Sequence, residues 1–107
     1  MSPPPPSAKW NAIKLAPDDT VATALSALDP DTTPRISGGD AGQAPRVVEP
    51  IPRGHKFALA DIAAGATVFK YGAPIGIATE DIRSGAHVHL HNLEGFAGKE
   101  ARRERRA

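Results

Sequence analysis

Cysteine is absent from this chain of 107 residues, and aromatic residues make up only 5% of it. Without thiols, the chain can form neither disulfides nor thiolate metal sites or nucleophiles, so its fold depends on packing. No apolar run approaches the ~20 residues of a membrane-spanning helix, and prolines stand where a signal peptide would have its apolar segment. We therefore expect a cytoplasmic protein without a membrane span.

Proline and glycine, in contrast, are abundant, with eleven and ten residues. Both residue types interrupt regular helices and favour turns, so this composition argues against a helical bundle. A chain of this length ordinarily forms one domain with one core. We therefore expect a single small domain in which short elements are joined by many turns.

The formal net charge of +1 is unevenly distributed along the chain. Residues 98–107 carry five basic and two acidic side chains, so the rest of the chain is slightly acidic. Because that body offers no basic surface, we expect no nucleic-acid binding there. The proline-rich leader, 1–11, and the basic tail, 95–107, are expected to be disordered ends of a domain over 12–94. The alternative role of the tail is contact with RNA or an acidic partner.

Local patterns predict a mainly β domain with one short helix. Residues 12–15 predict a strand, and the acidic start at 17–20, followed by apolar residues at helical spacing up to Leu28, predicts the helix. Residues 29–46 contain almost nothing large to bury and predict a long mobile loop. Further strands are expected in short apolar or alternating runs at 47–48, 56–62, 67–71, 75–79 and 87–90.

The motif D-I-x-x-G-A-x-V occurs twice, at 61–68 and 81–88, with a spacing of 20 residues. In each copy the isoleucine ends a strand, the small residues form a turn, and the valine begins the next strand. Neither corner can bury its apolar residues alone, so we expect the two corners to pack together. The equivalent positions of Asp61 and Asp81 indicate turn capping and argue against a catalytic carboxylate pair.

Three of the four histidines lie in the segment H-V-H-L-H at 87–91. On a strand, His87, His89 and His91 would share one face while Val88 and Leu90 point into the core. Alternate residues on a strand stand ~6.5 to 7 Å apart, so two imidazoles could reach one metal ion and a third would need strand curvature. The alternative is a solvated strand face without metal.

His55, Lys70 and Tyr71 are the other candidate site residues. The sequence does not say whether His55 joins the other histidines, and its imidazole could also transfer protons. Lys70 and Tyr71 place a cation and a phenol beside a turn, where they could bind a carboxylate or a sugar hydroxyl; the alternative is an ordinary hairpin. Phosphate-loop, dinucleotide-binding, zinc-protease and esterase motifs are absent.

Several of these segments carry a resemblance to a known family. The segments G-H-K-F-A-L-A-D-I at 54–62, K-Y-G at 70–72, H-V-H at 87–89 and H-N-L at 91–93 resemble the small domain of altronate and galactarate dehydratases. That family also includes the small subunit of sulfolactate sulfo-lyase. The resemblance covers 13–94 and lapses in 31–46. It implies a compact β-clip fold of the SAF type.

The resemblance also implies a lyase chemistry, namely loss of water from a sugar acid. The enzymes of this family are metal-dependent, usually on iron, so a divalent metal, Fe²⁺, is implied as the cofactor. Roles carried over position by position fall to six residues: His87 and His89 as metal ligands, His55 as a ligand or a catalytic proton-transfer group, and Lys56, Lys70 and Tyr71 as substrate-binding residues.

The family enzymes carry a much larger domain after this one. We therefore expect a separately encoded small subunit of a hydro-lyase, inactive alone, whose histidine face completes a site on a large subunit. The alternatives are a module that binds a sugar acid or carbohydrate without catalysis, a structural subunit, and the small subunit of a sulfo-lyase. The sequence leaves the particular acid open, and it allows a homo-oligomer.

Overall fold

The computed structural model describes residues 10–38 and 44–96. In this part of the chain, eight short strands carry the fold: β1 Ala12–Ile13, β2 Val21–Ala24, β3 Ile36–Ser37, β4 Lys56–Ala58, β5 Thr67–Lys70, β6 Ala73–Ala78, β7 His87–Val88 and β8 Leu93–Gly95. The mainly β prediction is confirmed. No helix long and apolar enough to cross a membrane occurs among the described residues.

The strands form two sheets. The larger sheet has the order β3-β1-β2-β4-β7, in which only the β1–β3 pair is parallel. The smaller sheet is antiparallel, with the order β5-β6-β8. β7 is an edge strand beside β4, with Lys56 opposite Val88 and Phe57 opposite His87. This pairing brings the end of β7 next to the residue that precedes β4, His55.

The short helix predicted after residue 17 is wrong. Those residues form a turn followed by β2, which pairs with β1 on one side and β4 on the other. Of the apolar positions expected to face the core, Val21, Ala22, Ala24 and Leu28 are buried, whereas Leu25 is 44% exposed. Small and β-branched residues suit a buried strand as well as a helix, and pairing on both sides decides for the strand.

Asp19 has a different role from that of a helix-start residue. Its carboxylate accepts hydrogen bonds from the backbone N–H groups of Leu15, Ala16 and Gly72. The first two bonds close the turn before β2, and the third ties this turn to the β5–β6 hairpin. The acidic signal therefore marks a turn that joins the two sheets.

The predicted loop over 29–46 contains β3, which pairs with β1. Asp31 donates its N–H to the carbonyl of Val47, and the Val47 N–H donates to Thr32, so the two ends of the segment are tied together. Val47 is buried, but the strand expected at 47–48 does not form. Residues 39–43 of this segment, 1–9 of the leader and 97–107 of the tail lie outside the described residues.

Two apolar clusters cover the two faces of the larger sheet. Successive residues of a strand point to opposite faces, and on β4 Phe57 belongs to one cluster while Ala58 belongs to the other. Phe57 is the largest of the fully buried side chains. The cluster around Ala58 also contains Ile62 and Ile82, which form an antiparallel bridge between the two repeated corners. The expected packing of the two corners is therefore confirmed.

The capping role expected for Asp61 and Asp81 is also confirmed, in a crossed arrangement. The Asp61 Oδ1 atom accepts the N–H of Ser84 at 2.8 Å, and the Asp81 Oδ1 atom accepts the N–H of Ala64 at 2.9 Å. Each carboxylate thus caps the turn of the other repeat. The two corners are held together by hydrogen bonds as well as by apolar contact.

We expect Asp61→Ala and Asp81→Ala each to reduce the free energy of unfolding by about 1 kcal/mol, the usual value of a side-chain bond to a turn or cap N–H. The measurement is urea denaturation followed by circular dichroism. Glu80→Ala, which changes an exposed carboxylate beside Asp81, is the control and should stay within ~0.5 kcal/mol of the wild type. Equal losses in all three variants would contradict the crossed caps.

Candidate metal site

Three histidine rings meet where β4 and β7 pair. His55 Nδ1 lies 2.8 Å from His87 Nε2, so one of these nitrogens carries the shared proton and the other accepts it. The His55 ring stacks on His89, with centroids 4.2 Å apart and an interplanar angle of 20°. One ligand atom from each of His55, His87 and His89 lies within 4.8 Å of the others. We call these residues the three-histidine group.

His91 lies beside this group and not in it. The β7 strand ends at Val88, and residues 89–92 form a turn in which the Asn92 N–H donates to the His89 carbonyl. The His91 ring is 5.3 Å from the His87 ring and tilted by 38°. Leu90, expected in the core, is 84% exposed. The strand predicted over 87–90 is therefore wrong beyond Val88, because the turn stops the alternation of faces.

The nitrogen donors of the three-histidine group fit a divalent transition metal. His89 Nδ1 is buried and makes no hydrogen bond among the described residues. Buried polar atoms in folded proteins almost always have a partner, and a neutral imidazole nitrogen without one is a typical ligand for Fe, Zn, Cu or Ni. His55, which the sequence could not place, brings the third imidazole to the group.

The environment of the group favours neutral imidazoles, the form that binds metals. Burial lowers the pKa of His87, and the neighbouring histidines lower it further, while Glu49 acts in the opposite direction. The pKa of His89 is lowered by desolvation first, and then by charge on His55, Lys56 and other neighbours. Both rings therefore lose their protons more readily than a free histidine does.

These shifts predict that the metal-free protein loses stability as the pH falls. Below about 6.5, the unfolded chain binds protons at His87 and His89 that the folded chain still excludes, so acid favours the unfolded state. We expect the urea midpoint, measured with a chelator present, to fall between pH 7.5 and pH 5.5. The double variant His87→Gln/His89→Gln should show a weaker fall, and an equal fall in both proteins would contradict this origin.

The predicted substrate-binding residues Lys56, Lys70 and Tyr71 lie near one another. Half-buried Lys56 has its pKa lowered by burial and by Lys70. The Lys70 ammonium is 4.9 Å from the centroid of the Tyr71 ring. The Tyr71 hydroxyl is 3.2 Å from the Thr23 hydroxyl, and Thr23 is the cross-strand partner of Lys56. The charge on Lys56 reaches His89, whose pKa it lowers.

Tyr71 lies in the tight turn between β5 and β6. Tyr71 and Gly72 both have positive φ, 54° and 79°, as in the two-residue turns that connect tightly paired strands. Positive φ is uncommon for a residue other than glycine and carries a small strain. No local signal in V-A-T-A marks Thr23 as a contact of Tyr71, because polarity alone does not show what a side chain bonds to.

Two further residues contact the backbone of this site without having been assigned a role from the sequence. A Glu49 carboxylate oxygen accepts the His87 N–H at 3.0 Å. The side chain of Asn92 bonds to the backbone of both His87 and His89. The only sequence signal for Asn92 was its place at the end of the histidine segment.

Residues 10–95 match the family model described as the altronate/galactarate dehydratase SAF domain. The chain belongs to this family. The resemblance found in the sequence is therefore confirmed, and the domain described above is a SAF domain.

Curated relatives of this SAF domain include enzymes of two names. Altronate dehydratase of Escherichia coli strain K12 is 48% identical over 80 residues, which cover 75% of this chain and 15% of that enzyme. The (2R)-sulfolactate sulfo-lyase subunit alpha of Chromohalobacter salexigens is 48% identical over 48 residues, 45% of this chain and 51% of that subunit. The alpha subunit of Paracoccus pantotrophus is 52% identical over 44 residues, 41% of this chain and 66% of that subunit.

These relatives are lyases by name, and the SAF domain is a small part of the altronate dehydratase. The chain spans about half to two thirds of the sulfo-lyase alpha subunits that it matches. Their designation as subunits indicates that a SAF chain can belong to an enzyme of more than one chain.

Proposed function

We propose that this SAF domain is the small subunit of a sugar-acid dehydratase and that its three-histidine group takes part in a metal-assisted site completed by a large subunit. The observation that carries the proposal is the meeting of His55, His87 and His89 with ligand atoms within 4.8 Å of one another. The similarity to altronate dehydratase, of which this domain covers 15%, supports both the reaction class and the need for further protein.

His87 and His89 would hold the metal, with His55 as a third ligand or as the proton-transfer group. A bound Fe²⁺ would act as a Lewis acid that stabilises negative charge on a substrate oxygen. In the metal-free protein, His55 Nδ1 shares a proton with His87 Nε2 at 2.8 Å. With His87 as a metal ligand, His55 would be the residue of this pair that accepts or returns a proton.

Lys56, Lys70 and Tyr71 would bind the acid. Burial and the charge of Lys70 both lower the pKa of Lys56, and an anion bound near the two ammonium groups would be stabilised by their charges. The phenol of Tyr71 could bond a substrate hydroxyl. Dehydration then removes the proton next to the carboxylate and breaks the neighbouring C–O bond, so that the proton and the hydroxide leave together as water.

The test is incubation with altronate or galactarate and Fe²⁺ without oxygen, first of the chain alone and then of the chain with a large dehydratase subunit. Loss of water leaves an enol, which tautomerises to a 2-oxo acid that can be assayed directly. Turnover only in the mixture supports the proposal. Sugar-acid binding without turnover in both experiments supports the alternative of a binding module.

A second candidate function is the small subunit of a sulfo-lyase. The observation that favours it is the coverage of 51% and 66% of two sulfo-lyase alpha subunits, far more than of the altronate dehydratase. The same mixture supplied with sulfolactate would then release sulfite. Sulfite release with no 2-oxo acid formed from sugar acids would assign the chain to this reaction.

The exposed Leu90 is expected to contact the large subunit. An 84% exposed leucine in the turn that follows His89 offers apolar surface at the rim of the site. We expect Leu90→Ser to weaken binding of the large subunit about tenfold without changing the melting temperature. Leu15→Ser, at a leucine that is 63% exposed outside this turn, is the matched control. Equal binding by both variants in calorimetry would rule out this contact.

A further inference from the structure

We propose that Asn92 is a positioning residue of the metal site, whose side-chain amide replaces a neighbouring strand at the edge of β7. The proposal rests on the metal-binding role given above to His87 and His89. Asn92 does not touch the metal in this proposal. It acts through the backbone from which the two histidine side chains project.

The edge of β7 shows how Asn92 does this. Backbone groups alternate in direction along a strand, so when the groups of Val88 face β4, the His87 carbonyl and the His89 N–H face the open edge. Asn92 Nδ2 donates to the His87 carbonyl at 2.8 Å, and Asn92 Oδ1 accepts the His89 N–H at 2.9 Å. An amide carries one acceptor and N–H donors, like the peptide group of a paired strand.

Asn92 is itself held firmly in place. It is 5% exposed, and its own N–H donates to the His89 carbonyl at 3.1 Å. Its carbonyl accepts the Thr79 N–H at 3.0 Å, which ties the turn to the end of β6. Both side-chain polar atoms and both backbone polar groups of Asn92 are therefore bonded, and the smaller sheet supports the histidines of the larger one.

The bonds of Asn92 distinguish the proposed ligands, His87 and His89, from His91, which comes after them in the chain and before Asn92. A two-residue edge strand such as β7 has little pairing of its own to keep its end in place. The amide bonds reach His87 and His89, whose rings are nearly parallel at 10°, whereas His91 lies in the turn without either bond. Groups that orient metal ligands typically contribute a factor of about 10 to 100 in metal affinity.

The test is titration of the wild type and Asn92→Asp with Co²⁺, followed by the visible absorption of the bound ion. Aspartate has nearly the same shape and keeps the acceptor for the His89 N–H, but it presents an oxygen to the His87 carbonyl in place of a donor. We expect affinity for Co²⁺ to fall at least about tenfold, with a changed absorption spectrum. Asn92→Ser, which is smaller and uncharged, serves if Asn92→Asp does not fold.

Asp81→Ala is the matched control, since it removes an exposed side-chain hydrogen bond to the backbone N–H of Ala64 and none to the histidine segment. It should lower the melting temperature of the metal-free protein and leave Co²⁺ affinity within about twofold. If the Asn92 variants lose no more affinity than this control, the positioning role is overturned while the metal site stands. If the wild type itself binds no Co²⁺, the metal part of the proposed function fails and this inference fails with it.

Discussion

Replacing Gly85 with alanine is expected to prevent stable folding, whereas the same replacement of Gly65 costs about 1 to 2 kcal/mol. The two glycines occupy the same position of the repeated motif and have nearly the same backbone conformation, with φ of 83° and 86°. Left-handed backbone penalises any side chain at both positions. The difference between the two variants must therefore come from their surroundings.

Those surroundings differ sharply. A Cβ atom at residue 65 would have no atom within 4 Å, but at residue 85 it would collide with the carbonyl oxygen of Arg46. Gly85 cannot move away easily, because its N–H donates to Ala58 and its carbonyl accepts the Val48 N–H. A backbone clash in a domain with only ~5 to 15 kcal/mol of stability removes a large part of that stability.

Urea denaturation and the dispersion of amide resonances in NMR would measure both effects. We expect Gly65→Ala to give a folded protein with a lower urea midpoint, and Gly85→Ala to give an unfolded or aggregated chain. Similar midpoints for the two variants would show that the backbone around Arg46 moves to make room for the new side chain. That result would contradict the expected clash.

The second large effect is expected at the three-histidine group. The double variant His87→Ala/His89→Ala should retain no metal above background after equilibration with Fe²⁺ without oxygen and removal of the excess ion. Loss of two of three nitrogen donors leaves one imidazole, which is too weak a ligand to hold the ion. We expect the affinity to fall by more than about 100-fold, measured as metal per folded chain.

His91→Ala is the matched control for this result, because His91 belongs to the same segment but not to the group whose ligand atoms converge. It should change metal content by less than about twofold. Equal loss in the control and in the double variant would reject the assignment of ligands. Circular dichroism of each protein excludes unfolding as the cause.

His55→Ala separates the two roles proposed for His55. If His55 is a ligand, this single variant loses metal affinity as His89→Ala does. If His55 transfers protons, the variant keeps its metal, and turnover in the mixture with the large subunit falls by about 100-fold, the lower range for a lost general acid or base. The spacing of the atoms, within 4.8 Å, allows either role.

The features that could be predicted from the sequence are those encoded by neighbouring residues. The repeated motif predicts two corners because a glycine with positive φ determines local backbone geometry, and both corners form as expected, although each aspartate caps the turn of the other repeat. The short apolar runs likewise predict most strands. The predicted helix was wrong because small apolar residues fit the helical and the strand period equally well. Pairing with β1 and β4 on its two sides makes this segment a strand.

Some residues of the site could be recognised from the sequence, and others could not. His87 and His89 were recognisable as metal-ligand types at a plausible spacing, and the family resemblance pointed to Lys56, Lys70 and Tyr71. Thr23 and the supporting Asn92 were not recognisable, because nothing local distinguishes a threonine or asparagine that bonds to a site from one that bonds to water.

By itself, the sequence determined the residue types available for chemistry, the positions of the turns and the membership of the SAF family. Only the tertiary structure decided that His55 meets His87, 32 residues away, and that Leu90 points to solvent. The physical reason is that φ preferences and side-chain spacing act over a few residues, whereas the register of β4 against β7 depends on burial and hydrogen bonding across the whole domain.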